Sequence, residues 1–193
     1  MSDQHAPVIH HPAESQLFDD TLSCETALPA EFRLGTTIVR PGVAETLLRS
    51  VALVEDNRGA DDGDERGESS LQVQRLEAKL DLMMVLLGRM VRQHSEELPL
   101  RPLRWSRQGL RLDLGARIGA AVGAAGIVRM QPSEWLPDHV DLPVSVLAEA
   151  ANGNGGHHLW LRFRDLGDSL EMALERHLFR LHRRQVAEAR RPR

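Results

Sequence analysis

The chain has 193 residues, 41% of them hydrophobic, and a formal net charge of −4, which suffices for one domain of ordinary size with a modest core and accessory segments. That charge gives no general drive toward nucleic acid or an acidic membrane, and 4% aromatics with no tyrosine argue against an aromatic-lined substrate pocket. A single cysteine, Cys24, excludes an intramolecular disulfide and suits a reducing cytoplasm.

Residues 1–16 are polar and aperiodic and read as a mobile N-terminus, with neither the basic start nor the apolar run of a signal peptide. Residues 17–55 form an N-terminal segment and helix. Leu17, Phe18, Leu22, Leu28, Phe32 and Leu34 mark a stretch packed on something, and Val43, Leu47, Leu48, Val51 and Val54 predict a helix over 42–55, with Pro41 at its start. The acidic, glycine-rich run over 56–69 has no bulky apolar groups to offset its ordering entropy and reads as a flexible linker.

Residues 70–95 are the most regular text. Val73, Leu80 and Leu87 occupy heptad position a, and Leu76, Met83 and Met90 occupy d, as in a coiled-coil oligomerisation helix. Leu82, Met84, Val85, Leu86 and Val91 are also apolar, more than a two-stranded zipper could cover. A bundle of more than two helices, a helix packed on its own domain, or both would cover them; burial in a monomeric helical core is the alternative. The run LMMVLLG at 82–88 is too short to span a bilayer, so no membrane insertion is expected.

Pro99 and Pro102 end the helix, and the period falls to two over residues 99–167. Leu103, Trp105, Leu110, Leu112 and Leu114 alternate with polar residues, and Ile127 and Val128 lie in a short strand-like run. Leu142, Val144, Val146 and Ala148 share one strand face. Leu159, Leu161 and Phe163 share another, with His158, Trp160, Arg162 and Arg164 opposite. The ANGNGG between the last two strands reads as a hairpin tip, and the whole as a meander or small barrel. Residues 168–191 form a C-terminal helix, with Asp168 as cap, Glu171 completing a capping box, and Leu170, Leu174, Leu178, Leu181 and Val186 as its apolar stripe.

The chemistry-bearing residues are sparse. His177 and His182 diverge around a helix and His157 and His158 point to opposite strand faces, so these read as surface histidines and no metal is expected. Ser106 has no base and orienting partner visible in the sequence, and no nucleophile elbow or Walker loop is present, so no catalytic residue is assigned. Basic residues are almost all arginine, Lys79 being the one lysine, so arginine counts carry little weight. The arginines near the C-terminus read as a solvated helix face.

The Ser-x-x-Gly of RWSRQG, Ser106 to Gly109, with the ending RFRDL followed by a helix, resembles the PilZ domain. The heptads placed before it resemble the atypical, tetrameric PilZ-like subgroup over about residues 17–191. The resemblance implies an α+β fold: a PilZ-like six-stranded antiparallel β-barrel with an N-terminal helix, a long central coiled-coil helix and a C-terminal helix. It also implies a non-enzymatic regulatory or scaffold protein, a cytoplasmic homotetramer, with a protein partner in cyclic di-GMP-related control of motility, type IV pili or biofilm. The family signature pairs an Arg-x-x-x-Arg loop with Asp/Asn-x-Ser-x-x-Gly. Here Arg104 replaces the acid or amide, and the coiled-coil helix stands in place of the arginine loop. Without a bidentate arginine pair the turn reads as structural, with Ser106 satisfying backbone groups and Gly109 relieving sterics, and no cofactor is expected. The alternative is a cyclic di-GMP receptor with a non-standard site at Arg104, Ser106, Arg107 and Gly109.

Overall fold

The computed structural model describes residues 11–35, 40–58, 73, 76, 79–80, 82–83, 86, 97–133, 135–136 and 138–190. The described elements are α1 (Pro12–Phe18), β1 (Ser23–Leu34), α2 (Pro41–Arg58), β2 (Leu100–Ser106), β3 (Gly109–Leu114), β4 (Ala125–Met130), β5 (Val140–Ala151), β6 (His157–Phe163) and α3 (Asp168–Ala189). The strands close a six-stranded barrel in the order β1-β2-β3-β6-β5-β4, every neighbouring pair antiparallel.

The period-two faces turn inward. Leu103, Trp105, Leu110, Leu112, Val128, Leu142, Val144, Val146, Leu159 and Leu161 all sit in one buried cluster. Their mutual burial is the main favourable term of the barrel, on the order of 1.5–3 kcal/mol for each large side chain. One bulge between Val146 and Ala148 shifts the β5–β6 register. The predicted tip is a turn at Asn152–Gly156, where Gly153 and Gly155 adopt φ of +78° and +82°, and Asn152 Oδ1 accepts from the amides of Asn154 and Gly156.

Three departures from the sequence reading matter. The barrel is not confined to 99–167, because its first strand is Ser23–Leu34. The pattern of β1 is weakly alternating, since it pairs with β2 along one half and β4 along the other, changing neighbours between Pro29 and Ala30. The N-terminal stretch is helical from Pro12, and Ala13, Leu17 and Phe18 are buried against Ala148 and Trp160 in a second apolar cluster. A seven-residue helix gives almost no periodicity to read, and its stability comes from that packing. Third, α3 is capped by Gly167 at φ +75° with no side-chain cap bond. Asp168 is the first helical residue, where its charge still complements the helix dipole.

α2 and α3 pack together on the barrel, with Ala44 and Leu48 of α2 and Leu170, Leu174 and Leu178 of α3 joining the main cluster. Arg184 Nη2 reaches Glu55 Oε1 at 3.0 Å across the helix pair. His177, read as a surface histidine, is instead fully buried, its ring edge-on to Trp105 at 5.5 Å between centroids. Cys24 is also buried, donating from Sγ to the Leu178 carbonyl at 3.3 Å, and burial pushes its thiol up to about 11. The native protein is therefore expected to resist thiol alkylation at pH 8 and to react on unfolding. Rapid labelling of the folded chain would contradict this burial.

Residues 73, 76, 79, 80, 82, 83 and 86 are helical and lie with their side chains exposed. Leu87 and Met90 of the heptad seam, residues 1–10 of the expected mobile N-terminus and most of the acidic linker lie outside the described residues.

Candidate functional site at the Ser106–Gly109 turn

RWSRQG spans the end of β2 and the start of β3, so the apparent single alternating run is a hairpin. Trp105 pairs with Leu110, and residues 106–109 make the reversal. Ser106 is fully buried at this reversal. Its hydroxyl donates to the Leu17 carbonyl at 2.6 Å and accepts from the Gln108 amide at 3.0 Å, fastening the end of α1 to the turn. Gly109 lies against β6: a Cβ there would stand 2.1 Å from the Leu161 carbonyl oxygen and 2.9 Å from Leu17 Cδ2. Any side chain at this position would part β3 from β6.

Arg104 points away from the turn's outer rim. Its Nε and Nη2 donate to Ser23 Oγ at 3.2 and 3.1 Å, Nη1 lies 3.3 Å from Glu14 Oε2, and its guanidinium stands 4.4 Å from the centre of the Phe18 ring. Arg107 is exposed at the turn, where it lines a cavity of about 380 Å³ with Gln108, Arg162, Phe163, Arg164 and Glu171. Of the four candidate ligand residues, Arg107 alone borders that cavity; Arg104, Ser106 and Gly109 are engaged with α1, β1 and β6. The motif spacing could not show Arg162 and Arg164, which β6 brings beside the turn by pairing Gly109 with Arg162. Their alternation opposite Leu161 and Phe163 was the available signal.

A second polar assembly lies under α1. Glu14 is buried, with Arg111 Nη1 at 2.7 Å and Trp160 Nε1 at 3.1 Å from Oε1. Burial alone would raise its carboxyl. The hydrogen bonds from Arg111 and Trp160 and the two guanidinium charges outweigh that and hold it below the usual carboxylate range. His11 stacks on Trp160 at 4.5 Å between centroids. Nearby, His158 Nδ1 is 2.7 Å from Asp113 Oδ1. Among the described residues no cluster of three or more His, Cys, Asp or Glu has metal-binding geometry, and no helix is long and apolar enough to cross a membrane.

Ser106→Ala is expected to lower stability by about 1–3 kcal/mol, because the Leu17 carbonyl and Gln108 amide lose their partner where water has little access. Urea unfolding measures this, and an unchanged midpoint would remove the structural role from the hydroxyl.

The family model described as an atypical PilZ domain, cyclic di-GMP receptor, matches residues 48–191. No curated protein matches the chain. Among solved structures, a pathogenic protein from Xanthomonas campestris, described as a new tetrameric PilZ domain self-assembled via an unusual helical bundle, is 50% identical with a TM-score of 0.77, covering 91% of this chain and 95% of that one. The PilZ domain of YcgR from Escherichia coli, determined with c-di-GMP, is 16% identical with a TM-score of 0.40, over 48% of this chain and 79% of that one. The Bacillus subtilis inhibitor of motility MotI/DgrA is 16% identical with a TM-score of 0.38, over 49% and 45% of the two chains. With the family model spanning most of the chain and a closed six-stranded barrel beneath it, this chain belongs to the atypical PilZ domain family.

Proposed function

We propose that the protein is a non-enzymatic regulatory scaffold of the cytoplasm. Four copies join through the heptad helix and present their barrels to a protein partner in cyclic di-GMP-related control of motility, pili or biofilm. The observation that carries the reading is the seam itself. Val73, Leu76, Leu80 and Met83 are helical and between 51% and 58% exposed in the single chain, an apolar row that water would disfavour without a partner. At about 100° per residue these four fall within roughly 80° of arc. Leu82 and Leu86, also exposed, widen the apolar surface to about half the helix circumference, with the aliphatic stem of Lys79 inside it. A two-stranded seam covers less than that, so a four-helix bundle fits better. The tetrameric relative at 50% identity supports the same number. Four barrels on one bundle would raise weak single contacts to useful avidity. Light scattering tests the reading: a mass four times the 21.6 kDa chain is expected, and a monomer at micromolar concentration would end it.

A second reading is favoured by one observation, the cavity that Arg107, Arg162 and Arg164 line together with Asp165 and Glu171, three arginines against two acids, Arg162 also donating to Gln16 Oε1 at 3.1 Å. Three guanidinium groups suit a phosphate-bearing ligand, and this reading makes the protein a cyclic di-GMP receptor with a non-standard site. Ser106 could not contact that ligand through its hydroxyl without leaving Leu17 and Gln108. Calorimetric titration of the full chain with cyclic di-GMP decides between the two. Under the scaffold reading no heat is expected. Micromolar binding lost in Arg107→Ala and Arg164→Ala would install the receptor reading instead.

A further inference from the structure

The outer wall of the barrel carries a built receptor groove that is filled by the chain's own α1. Its floor is Trp160, which faces outward from β6 yet is only 2% exposed, and Ala148 beside it. One side is cationic: Arg104 on β2 and Arg111 on β3 are paired across the strands, and both reach the Glu14 carboxylate. The end of the groove is a notch kept open by Gly109, into which Leu17 fits with Cδ2 2.9 Å from where a Cβ would stand. The occupant meets each part with one side chain. Glu14 takes the two arginines and the indole N–H, His11 stacks on the indole face, Leu17 takes the notch, and Phe18 lies under the Arg104 guanidinium.

We infer that α1 is a tethered stand-in for a partner's segment, and that this groove, when α1 lifts away, docks a short acidic helix from another protein. The matching chemistry is a glutamate or aspartate preceded by a planar ring three residues earlier and followed by apolar residues three and four positions later. Two observations make the exchange feasible. The apolar cluster under α1 is separate from the main barrel core, so the barrel keeps its core when α1 leaves. A helix of seven residues is well below the roughly 12–15 needed for stability in water, so α1 holds its shape only while docked. Its opening is therefore a local event, distinct from unfolding of the barrel. Residues 19–22 tether α1 to β1, with Leu22 held against the main core, which keeps α1 at an effective concentration on the order of millimolar and closes the groove to weak competitors. A helical protein segment is favoured over a small anion because the Gly109 notch and the Trp160 floor recognise aliphatic and aromatic side chains in helical spacing, beyond the reach of a phosphate alone.

The inference is independent of the tetramer, since all the groove residues lie on one chain's barrel, and a failed mass measurement would leave it standing. The probe is a fluorescein-labelled synthetic peptide of residues 10–20, HHPAESQLFDD, added in trans to the full-length protein. In the Glu14→Lys chain a third cation beside Arg104 and Arg111 ejects α1, and the peptide is expected to bind at least tenfold tighter than to the wild-type chain. Adding Arg111→Glu to that chain is expected to abolish the binding. Equal binding to wild type and Glu14→Lys, or none to either, overturns the inference. So does displacement of the peptide by cyclic di-GMP, which would make the groove a nucleotide site. Hydrogen exchange on the wild type covers the case in which Glu14→Lys does not fold. The α1 amides are expected to exchange at least a hundredfold faster than those of β2 and β6, and exchange of α1 only together with the barrel would show that it never lifts on its own.

Discussion

Replacing Leu80 and Met83 together by aspartate is expected to reduce the proposed assembly to single chains whose barrels remain folded. Each aspartate would place a carboxylate inside the seam with no partner, a cost of several kcal/mol per group unless the helices separate. The lost apolar burial adds about 1.5–3 kcal/mol for each large side chain removed. Multiplied over the four helices of the proposed tetramer, this exceeds what a short bundle can absorb. The barrel does not share the penalty, because neither residue belongs to its buried clusters and both are more than half exposed in the chain by itself. Light scattering of the variant is expected to give the 21.6 kDa of one chain, with an unchanged far-ultraviolet signal from the strands. A variant that keeps the wild-type mass would show that the seam lies elsewhere and would remove the basis of the scaffold reading.

Acid is expected to weaken the barrel from pH 6.5 downward, through His177. This imidazole is completely buried beside Trp105, and neither ring nitrogen has a hydrogen-bond partner of good geometry. Burial pushes it down to about 4 from an ordinary value of 6.5. Glu55 across the helix interface and the nearby Pro132 carbonyl pull the other way, and Arg180 and Arg184 add to the fall. The unfolded chain therefore binds a proton between pH 6.5 and 4 that the folded chain refuses. The stabilisation is complete above pH 6.5 and is lost as pH falls through that window. With one pKa unit worth 1.36 kcal/mol, the loss is on the order of 3 kcal/mol by pH 4. Glu14 and Asp141, both held below their ordinary values, contribute only further down, as pH drops below about 4.5 and 3.8. His177→Phe keeps a ring against Trp105 without the titration, so its urea midpoint is expected to stay level from pH 6.5 to 4.5 while the wild type falls. A wild-type midpoint that is flat over the same range would show that the folded protein accepts the proton.

Much of this molecule is legible in its sequence, and what is not has a common physical cause. Inward faces such as Leu142-Val144-Val146 and Leu110-Leu112-Leu114 are visible because a strand packed on one side alternates strictly, whereas Ala148, expected on the same face as Val146, lies past the bulge and packs outward beside Trp160 under α1. The stripe Leu170-Leu174-Leu178 on α3 is visible because helical burial repeats every three to four residues. β1 escaped because it changes strand partners midway and carries Pro29 and two glutamates, so its burial is uneven. α1 escaped because its signal is not periodicity but a single buried glutamate, whose partners Arg104, Arg111 and Trp160 are 90 to 146 residues away. Trp160 was the local hint: an indole on the polar face of a strand seldom stays in water.

The sequence by itself determined the class of the molecule: an antiparallel meander or small barrel with flanking helices, and a turn between Ser106 and Gly109. These follow from near-neighbour rules, in which side-chain period, turn residues and charge act over a few positions. Only the tertiary structure decided what the turn and the polar side chains do. It seated Ser106 on the Leu17 carbonyl, wedged Gly109 against β6, buried His177 edge-on to Trp105, and closed Glu14 over two arginines. A buried polar group has its energy set by whichever atoms the fold brings to it, and those atoms come from strands and helices far apart in the chain.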